Sequence, residues 1–226
     1  MLERLFNLYL EHPLELIHDI ATIAPVILGI FYADTKKYEV RFLILFFLII
    51  FFRNLISNIY AANKINNIFL YNFIGFIEVI TFGLIYYFSV NRPNYKKIIV
   101  LTASIVFLTN IVFWEKNEFS AGIFTITRIY SLFLALLYFM EILAEMRVKN
   151  ILKHSLFWIS SGIIIQATGT ILIFLFSKVI LSTKTTPEIF FVYWNFILVT
   201  YIAFCLFVSV GFWVSKYDKD NYTVEE

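Results

Sequence analysis

Phe42-Leu43-Ile44-Leu45-Phe46-Phe47-Leu48-Ile49-Ile50-Phe51-Phe52-Arg53-Asn54-Leu55-Ile56-Ser57-Asn58-Ile59-Tyr60 is a hydrocarbon-matched helix that carries a polar stripe at one end. Its first eleven residues are apolar without a break, and the whole stretch has the length a bilayer core demands of a helix. Arg53, Asn54, Ser57 and Asn58 then recur at i, i+1, i+4 and i+5, which places them on one side of that helix. A side so polar cannot face lipid, so the segment predicts both a membrane span and a bundle around it.

Six more apolar stretches share this character. With the first they run Leu14 to Tyr32, Phe42 to Tyr60, Ile68 to Val90, Ile98 to Trp114, Phe119 to Ala144, Leu152 to Leu181 and Glu188 to Val214. None shows the short strict alternation of a membrane barrel, and a lipid-exposed backbone must satisfy its own hydrogen bonds. The expected fold is all-α, a polytopic seven-transmembrane-helix bundle. It divides into a lead-in (1–13), the bundle (14–214) and a short tail (215–226). Charged residues are 15% and hydrophobic ones 61%, far from the roughly 25% charged share of ordinary globular domains.

Basic residues set the expected orientation, because Lys and Arg are retained on the cytoplasmic side. Lys36, Lys37, Arg41, Arg92, Lys96, Lys97, Arg147, Lys149, Lys153, Lys216 and Lys219 fall at odd connections and the tail, against Arg4, Lys64, Lys116, Lys178 and Lys184 on the other side. Eleven against five predicts an outer amino terminus and a cytoplasmic carboxyl terminus. Glu3, Arg4, Glu11, Glu15 and Asp19 precede or interrupt the first apolar run, which does not read as a cleavable signal peptide. Leu2 to Glu11 alternates charge with Leu, Phe and Tyr at helical spacing, as an interfacial amphipathic helix does. A multi-pass protein of a bacterial inner membrane is expected, in contact with membrane lipids.

Several function classes recede. Cys205 is alone and predicts a small apolar core residue. His12, His18 and His154 are scattered over two sides, so neither a metal site nor any other cofactor is expected. The net charge of +2 gives no reason to expect nucleic acid, and topology and anionic headgroups account for the basic loops. No catalytic constellation is visible, and the short connections leave no room for a built-in enzymatic output domain.

The informative residues are the ionisable ones inside spans, since a charge at mid-membrane costs at least ~2.5 kcal/mol. Arg53, Glu78 and Arg128 each lie about ten residues from the outer end of their helices, a depth of ~15 Å at 1.5 Å per residue. The short connection between the second and third spans predicts that Arg53 and Glu78 meet, leaving Arg128 in excess. Tyr71, Gly75 and Glu78 share a stripe with Asn72 beside it, Asn58 belongs to the polar side of the second span, and Asn110 and Asn195 sit in the outer halves of theirs. Arg53, Asn58, Tyr71, Asn72, Glu78, Asn110, Arg128 and Asn195 are the candidate ligand-binding residues. Tyr60, Trp114, Tyr130, Tyr193 and Trp194 are candidate walls. Two accounts stand open: a structural polar knot, or an outward-opening cavity for a small anionic or polar ligand. Glu141 and Glu145 are expected to face headgroups or pair with Arg147, Lys149 and Lys153, and Pro25 to kink the first span.

The seven-span plan resembles microbial rhodopsins and seven-span receptors, but Glu188 to Val214 contains no lysine for a Schiff base. A zinc-dependent seven-span hydrolase would need several inner histidines, and His154 stands alone there. Asn72-Phe73-Ile74 and Asn195-Phe196-Ile197 occupy positions that a repeat-built solute transporter would equate. Ile65-Asn66-Asn67-Ile68-Phe69-Leu70-Tyr71-Asn72, followed by Ile77-Glu78 and Tyr86-Tyr87-Phe88, resembles uncharacterised small seven-span bacterial integral membrane proteins. That resemblance covers the second and third spans and implies no activity. The expectation is a non-enzymatic, receptor-like protein that binds a small anionic ligand or lipid headgroup and signals to a cytoplasmic partner. A small-solute or ion transporter is the second expectation, and a structural subunit docking another membrane protein the third.

Overall fold

The computed structural model describes residues 2–146, 148–180 and 185–221. Their helices are α1 (Leu2–Glu11), α2 (Pro13–Tyr32), α3 (Tyr38–Ala62), α4 (Ile68–Ser89), α5 (Pro93–Val112), α6 (Ala121–Glu145), α7 (Ser155–Leu175), α8 (Ser177–Ile180) and α9 (Pro187–Val214). Seven of them, α2 to α7 and α9, are long and apolar enough to cross a membrane. The chain is therefore an all-helical, multi-pass membrane protein. Arg147 and Lys184 of the charge census, Leu181 at the expected end of the sixth span, and residues 222–226 lie outside the described residues.

Local chemistry explains most boundaries. Pro13, Pro93 and Pro187 open α2, α5 and α9, where a missing N–H costs nothing and the fixed φ suits the first turn. Ser120 caps α6 by accepting from the Ile123 N–H at 3.2 Å, which satisfies one of the four free donors at a helix start. The expected sixth span is interrupted: α7 stops at Leu175, Phe176 breaks it, and the one-turn α8 follows. Pro25 sits buried within α2, which runs unbroken from Pro13 to Tyr32.

Six spans close a ring, with α2 on α3, α3 on α4, α4 on α6, α6 on α7, α7 on α9 and α9 back on α2. α5 lies outside it, against α4 and α6. Only Ile99 and Asn110 of α5 are buried, while Val100, Leu101, Ile105, Leu108 and Val112 are exposed. Such a continuous apolar face suits lipid and not water. Glycines allow close approaches at two seams of the ring. A Cβ on Gly75 of α4 would stand 2.3 Å from Ile123 Cγ2 of α6, and one on Gly211 of α9 would stand 2.9 Å from the Ser155 backbone oxygen of α7.

The interior is stratified along the ring axis. Phe46, Phe47, Phe82, Tyr86, Phe204 and Phe212 are fully buried and form an aromatic floor, with Phe46 5.3 Å from Phe82 and Phe47 5.4 Å from Phe204. Polar groups gather on either side of it. One side carries α1 and the α3–α4 and α5–α6 connections, hereafter the α1 face; the other carries the α2–α3, α4–α5 and α6–α7 connections and the tail.

On the tail face, Asp218 accepts from the Ser155 N–H at 3.1 Å and lies 3.2 Å from His154 Nδ1, while His154 Nε2 meets the Tyr138 hydroxyl at 2.5 Å. Asn221 clasps the α6–α7 connection, donating to the Asn150 carbonyl at 2.8 Å and accepting from the Asn150 N–H at 3.0 Å. Glu141 corrects the expectation of a headgroup-facing carboxylate. It is buried and accepts from the Asn91 and Arg92 N–H groups at 2.8 and 2.9 Å, so it satisfies two backbone donors of the α4–α5 connection, the second at the N-cap of α5. Glu145 reaches the Arg92 side chain at 3.2 Å.

Candidate functional site

The charged residues of the ring lie above the aromatic floor, toward the α1 face. α3 supplies Arg53, Asn54 and Asn58, α4 supplies Tyr71 and Glu78, α6 supplies Arg128, α7 supplies Gln166 and Thr170, and α9 supplies Trp194 and Tyr201 around a cavity of about 60 Å³. α2 completes the wall with Glu15, His18 and Asp19, which its i, i+3, i+4 spacing sets on one face. A second, wider space of about 490 Å³ adjoins it, lined by His12, Phe190, Phe191 and Pro187 among others. Glu15, Asn58, Tyr71, Phe119 and Trp194 border both spaces and so form the neck between vestibule and inner cavity.

Glu78 is paired with Arg128, not with Arg53 as sequential adjacency suggests. Arg128 Nη1 stands 3.1 Å from Glu78 Oε2, and both terminal nitrogens donate to Glu78 Oε1 at 3.2 Å. The two side chains are 7% and 3% exposed, so the pair is desolvated and its ionic bonds are strong. The reason lies one turn away: Gly75 lets α6 come so near that Glu78 and Arg128 face each other across the α4–α6 seam. Arg53 instead lays its guanidinium over the Tyr71 ring, 4.3 Å from the centroid. Among the described residues nothing makes a hydrogen bond or ion pair with Arg53, and its Nε is buried without a partner.

Four further lining atoms share that state: Asn54 Oδ1, Arg128 Nε, Gln166 Oε1 and Tyr201 Oη are buried and find no protein partner. Each such group costs about 1–3 kcal/mol when left unpaired. All five belong to residues that line this one cavity.

The carboxylates of α2 and the Tyr71 hydroxyl are better satisfied. Asp19 Oδ2 accepts from the Tyr9 hydroxyl and Asn58 Nδ2, both at 2.8 Å, and Oδ1 lies 3.3 Å from His18 Nδ1. Burial and the bond to Asp19 push the Tyr9 hydroxyl up to about 12. Glu15 accepts from Trp194 Nε1 at 2.5 Å. The Tyr71 hydroxyl accepts from Ser57 at 3.0 Å, which fixes the ring under Arg53.

Arg53, Asn58, Tyr71, Glu78 and Arg128 thus meet at the cavity as the sequence suggested. Three candidates fall elsewhere. Asn72 donates to the Glu115 and Glu118 carbonyls at 2.5 and 2.8 Å and accepts from the Ser120 N–H at 3.2 Å, so it organises the α5–α6 connection. Asn110 is buried against Thr127, 3.3 Å away. Asn195 is exposed on the outer surface of α9, because it adjoins the inward-facing Trp194 and lies 100° further round the helix. Among the candidate walls Trp194 lines the cavity, whereas Tyr193 is exposed and Trp114 rests on Phe76. Glu15, Asn54, Gln166 and Tyr201 were missing from the candidates. Glu15 shares a helical face with Asp19, a signal legible in advance; Tyr201 offers none, being one aromatic among many.

No protein-family model, curated protein or solved structure matches this chain.

Proposed function

We propose that this protein is a non-enzymatic, receptor-like member of a bacterial inner membrane, with the α1 face outside and the tail in the cytoplasm. It binds a small ligand bearing an anionic group, or a lipid headgroup, in the cavity at the α1 face and signals to a cytoplasmic protein partner. The observation that carries this is Arg53, a guanidinium bordering a buried cavity with no ion-pair or hydrogen-bond partner among the described residues. A planar fork of donors suits carboxylate or phosphate. Asn54, Gln166 and Tyr201 offer further groups to the same occupant. Contact with the rest of the cell would pass through the basic tail face, where Asp218 and Asn221 tie the tail to the helix ends.

A small-solute or ion transporter is the second reading, favoured by another cavity of about 320 Å³ at the tail face, lined by residues such as Lys37, Ser89, Tyr138, His154 and Asp218. The aromatic floor separates the two spaces, which favours binding over passage. The test is binding of inorganic phosphate and propionate to purified protein, read by isothermal titration alongside thermal unfolding in detergent. Arg53→Gln is expected to abolish binding while the bundle still melts cooperatively. Undiminished binding in Arg53→Gln rejects the anion-site reading, and phosphate or propionate uptake into vesicles loaded with the protein would favour the transporter.

A further inference from the structure

We infer that the ligand is zwitterionic, carrying its carboxylate or phosphate in the inner cavity and an ammonium group at the neck. This rests on the reading above that an anionic group docks at Arg53, and it adds the chemistry of the ligand's other end.

The unanswered charges of the site differ in position. In the inner cavity Arg128 is neutralised by Glu78, which leaves the guanidinium of Arg53, a residue that lines the inner space and not the vestibule. At the neck stands Glu15, which borders both spaces, while Asp19, one turn further along the same face of α2, lines the inner cavity. Asp19 is surrounded by the donors Tyr9 and Asn58 with His18 beside it. Glu15 receives the Trp194 indole N–H, although a carboxylate accepts about four hydrogen bonds. No ion pair reaches Glu15 among the described residues, so it retains capacity for a cation. A simple anion entering from the vestibule would pass the Glu15 carboxylate to reach the Arg53 guanidinium. A dipolar molecule of the right sense sets its anion against Arg53 and its cation against Glu15, while Asp19 is answered by the donors Tyr9 and Asn58.

The aromatic lining points the same way. Tyr71, Phe119 and Trp194 form the neck, with the Trp194 ring centroid 5.5 Å from Tyr71 and 6.0 Å from Phe190. Ring faces attract an ammonium group, more strongly where water is excluded; the Tyr71 ring already carries Arg53, and Trp194, bonded to Glu15, and Phe119 are the rings left to the ligand's cation. The inner cavity of about 60 Å³ suits a small anionic head, while the vestibule of about 490 Å³ has room for what it is attached to. The same chemistry belongs to free amino acids or amino phosphates and to a zwitterionic lipid headgroup.

The experiment compares matched probes on the full chain. In detergent, β-alanine and O-phosphoethanolamine are titrated against propionate, inorganic phosphate and ethylamine. In nanodiscs, retention of phosphatidylethanolamine is compared with phosphatidylglycerol by native mass spectrometry. A zwitterion is expected to bind about tenfold more tightly than its anionic counterpart, the gain of one good charged contact. Glu15→Gln, which keeps an acceptor for Trp194, should collapse that gap without weakening the simple anion, and Arg53→Gln should weaken both. Preference in solution assigns the source to a free solute, and preference in nanodiscs alone assigns it to lipid. Equal or tighter binding of propionate, phosphate or phosphatidylglycerol that still requires Arg53 overturns the zwitterion proposal and leaves the anion site standing. Failure of every probe in both arms removes both.

Discussion

Glu78 and Arg128 are bound to each other at 3.1 Å across the α4–α6 seam, although Arg53 lies on the helix that precedes Glu78 in the chain. One carboxylate thus serves the cation that the helix packing brings nearest, and Arg53 is left to the Tyr71 ring. Both arginines line the cavity, but one is held by an ion pair across the bundle and the other has no carboxylate among the described residues.

That difference predicts unequal losses. Glu78→Gln strands Arg128 in a desolvated site and should destabilise the bundle by about 3–5 kcal/mol, the range for breaking a buried pair. Arg128→Met in the same chain should recover much of the loss, because an apolar residue removes the stranded charge. Arg53→Met should not rescue Glu78→Gln. Unfolding free energies of the single and double variants in detergent decide it, and additive losses for Glu78 with Arg128 would contradict the pairing.

The sequence disclosed the spans, the depth of the charges and most of the cavity's polar lining, because each follows from length, hydropathy and helical spacing. Partner choice was not legible. It depends on how closely two helices approach, and Gly75 permits that approach only in combination with Ile123 opposite it. Asn72, Asn110 and Asn195 looked equivalent as polar residues within spans. Rotation about the helix axis separated them, turning Asn72 to a connection, Asn110 to Thr127 and Asn195 outward. Glu141 was misjudged for a related reason: the α4–α5 connection folds back over it, a tertiary event that no local pattern announces.

Gly211 should be intolerant of a side chain. A Cβ there would stand 2.9 Å from the Ser155 backbone oxygen and 2.9 Å from Ile159 Cγ1, and a helix backbone cannot yield as a side-chain tip can. Gly211→Ala should therefore cost about 1–3 kcal/mol, the usual penalty of overpacking. Gly83→Ala meets the Tyr130 hydroxyl at 2.9 Å, a group that can swing away, and should cost less. The comparison of their melting temperatures in detergent tests whether the α7–α9 seam is the tighter one.

Orientation follows from charge and is open to direct measurement. A reporter fused after Glu226 should be active in the cytoplasm, and one inserted at Lys64 should be exported, since basic residues concentrate at the tail face. Cytoplasmic activity at both positions would overturn the alternation of seven spans. Export at Glu226 with cytoplasmic activity at Lys64 would invert the protein and place the cavity mouth inside the cell.

The link between α1 and the neck should be sensitive to alkaline pH. The Tyr9 hydroxyl donates to Asp19 at 2.8 Å while accepting from Asn58 at 3.1 Å, and burial with the Asp19 bond raises it to about 12 from the ordinary 10.0. A raised folded-state value means that the folded chain holds this proton where the unfolded chain releases it. The stabilisation from Tyr9 is therefore complete below pH about 10 and is lost progressively as pH rises toward about 12. Loss of the proton would set a phenolate beside the Asp19 carboxylate and break the only bond by which Tyr9 donates. Protease accessibility of residues near Glu11 should rise over that window in the native chain. In Tyr9→Phe it should already be raised at neutral pH, with a weaker dependence across the window; an unchanged pH profile would show that α1 is held to the ring by its apolar contacts and not by Tyr9.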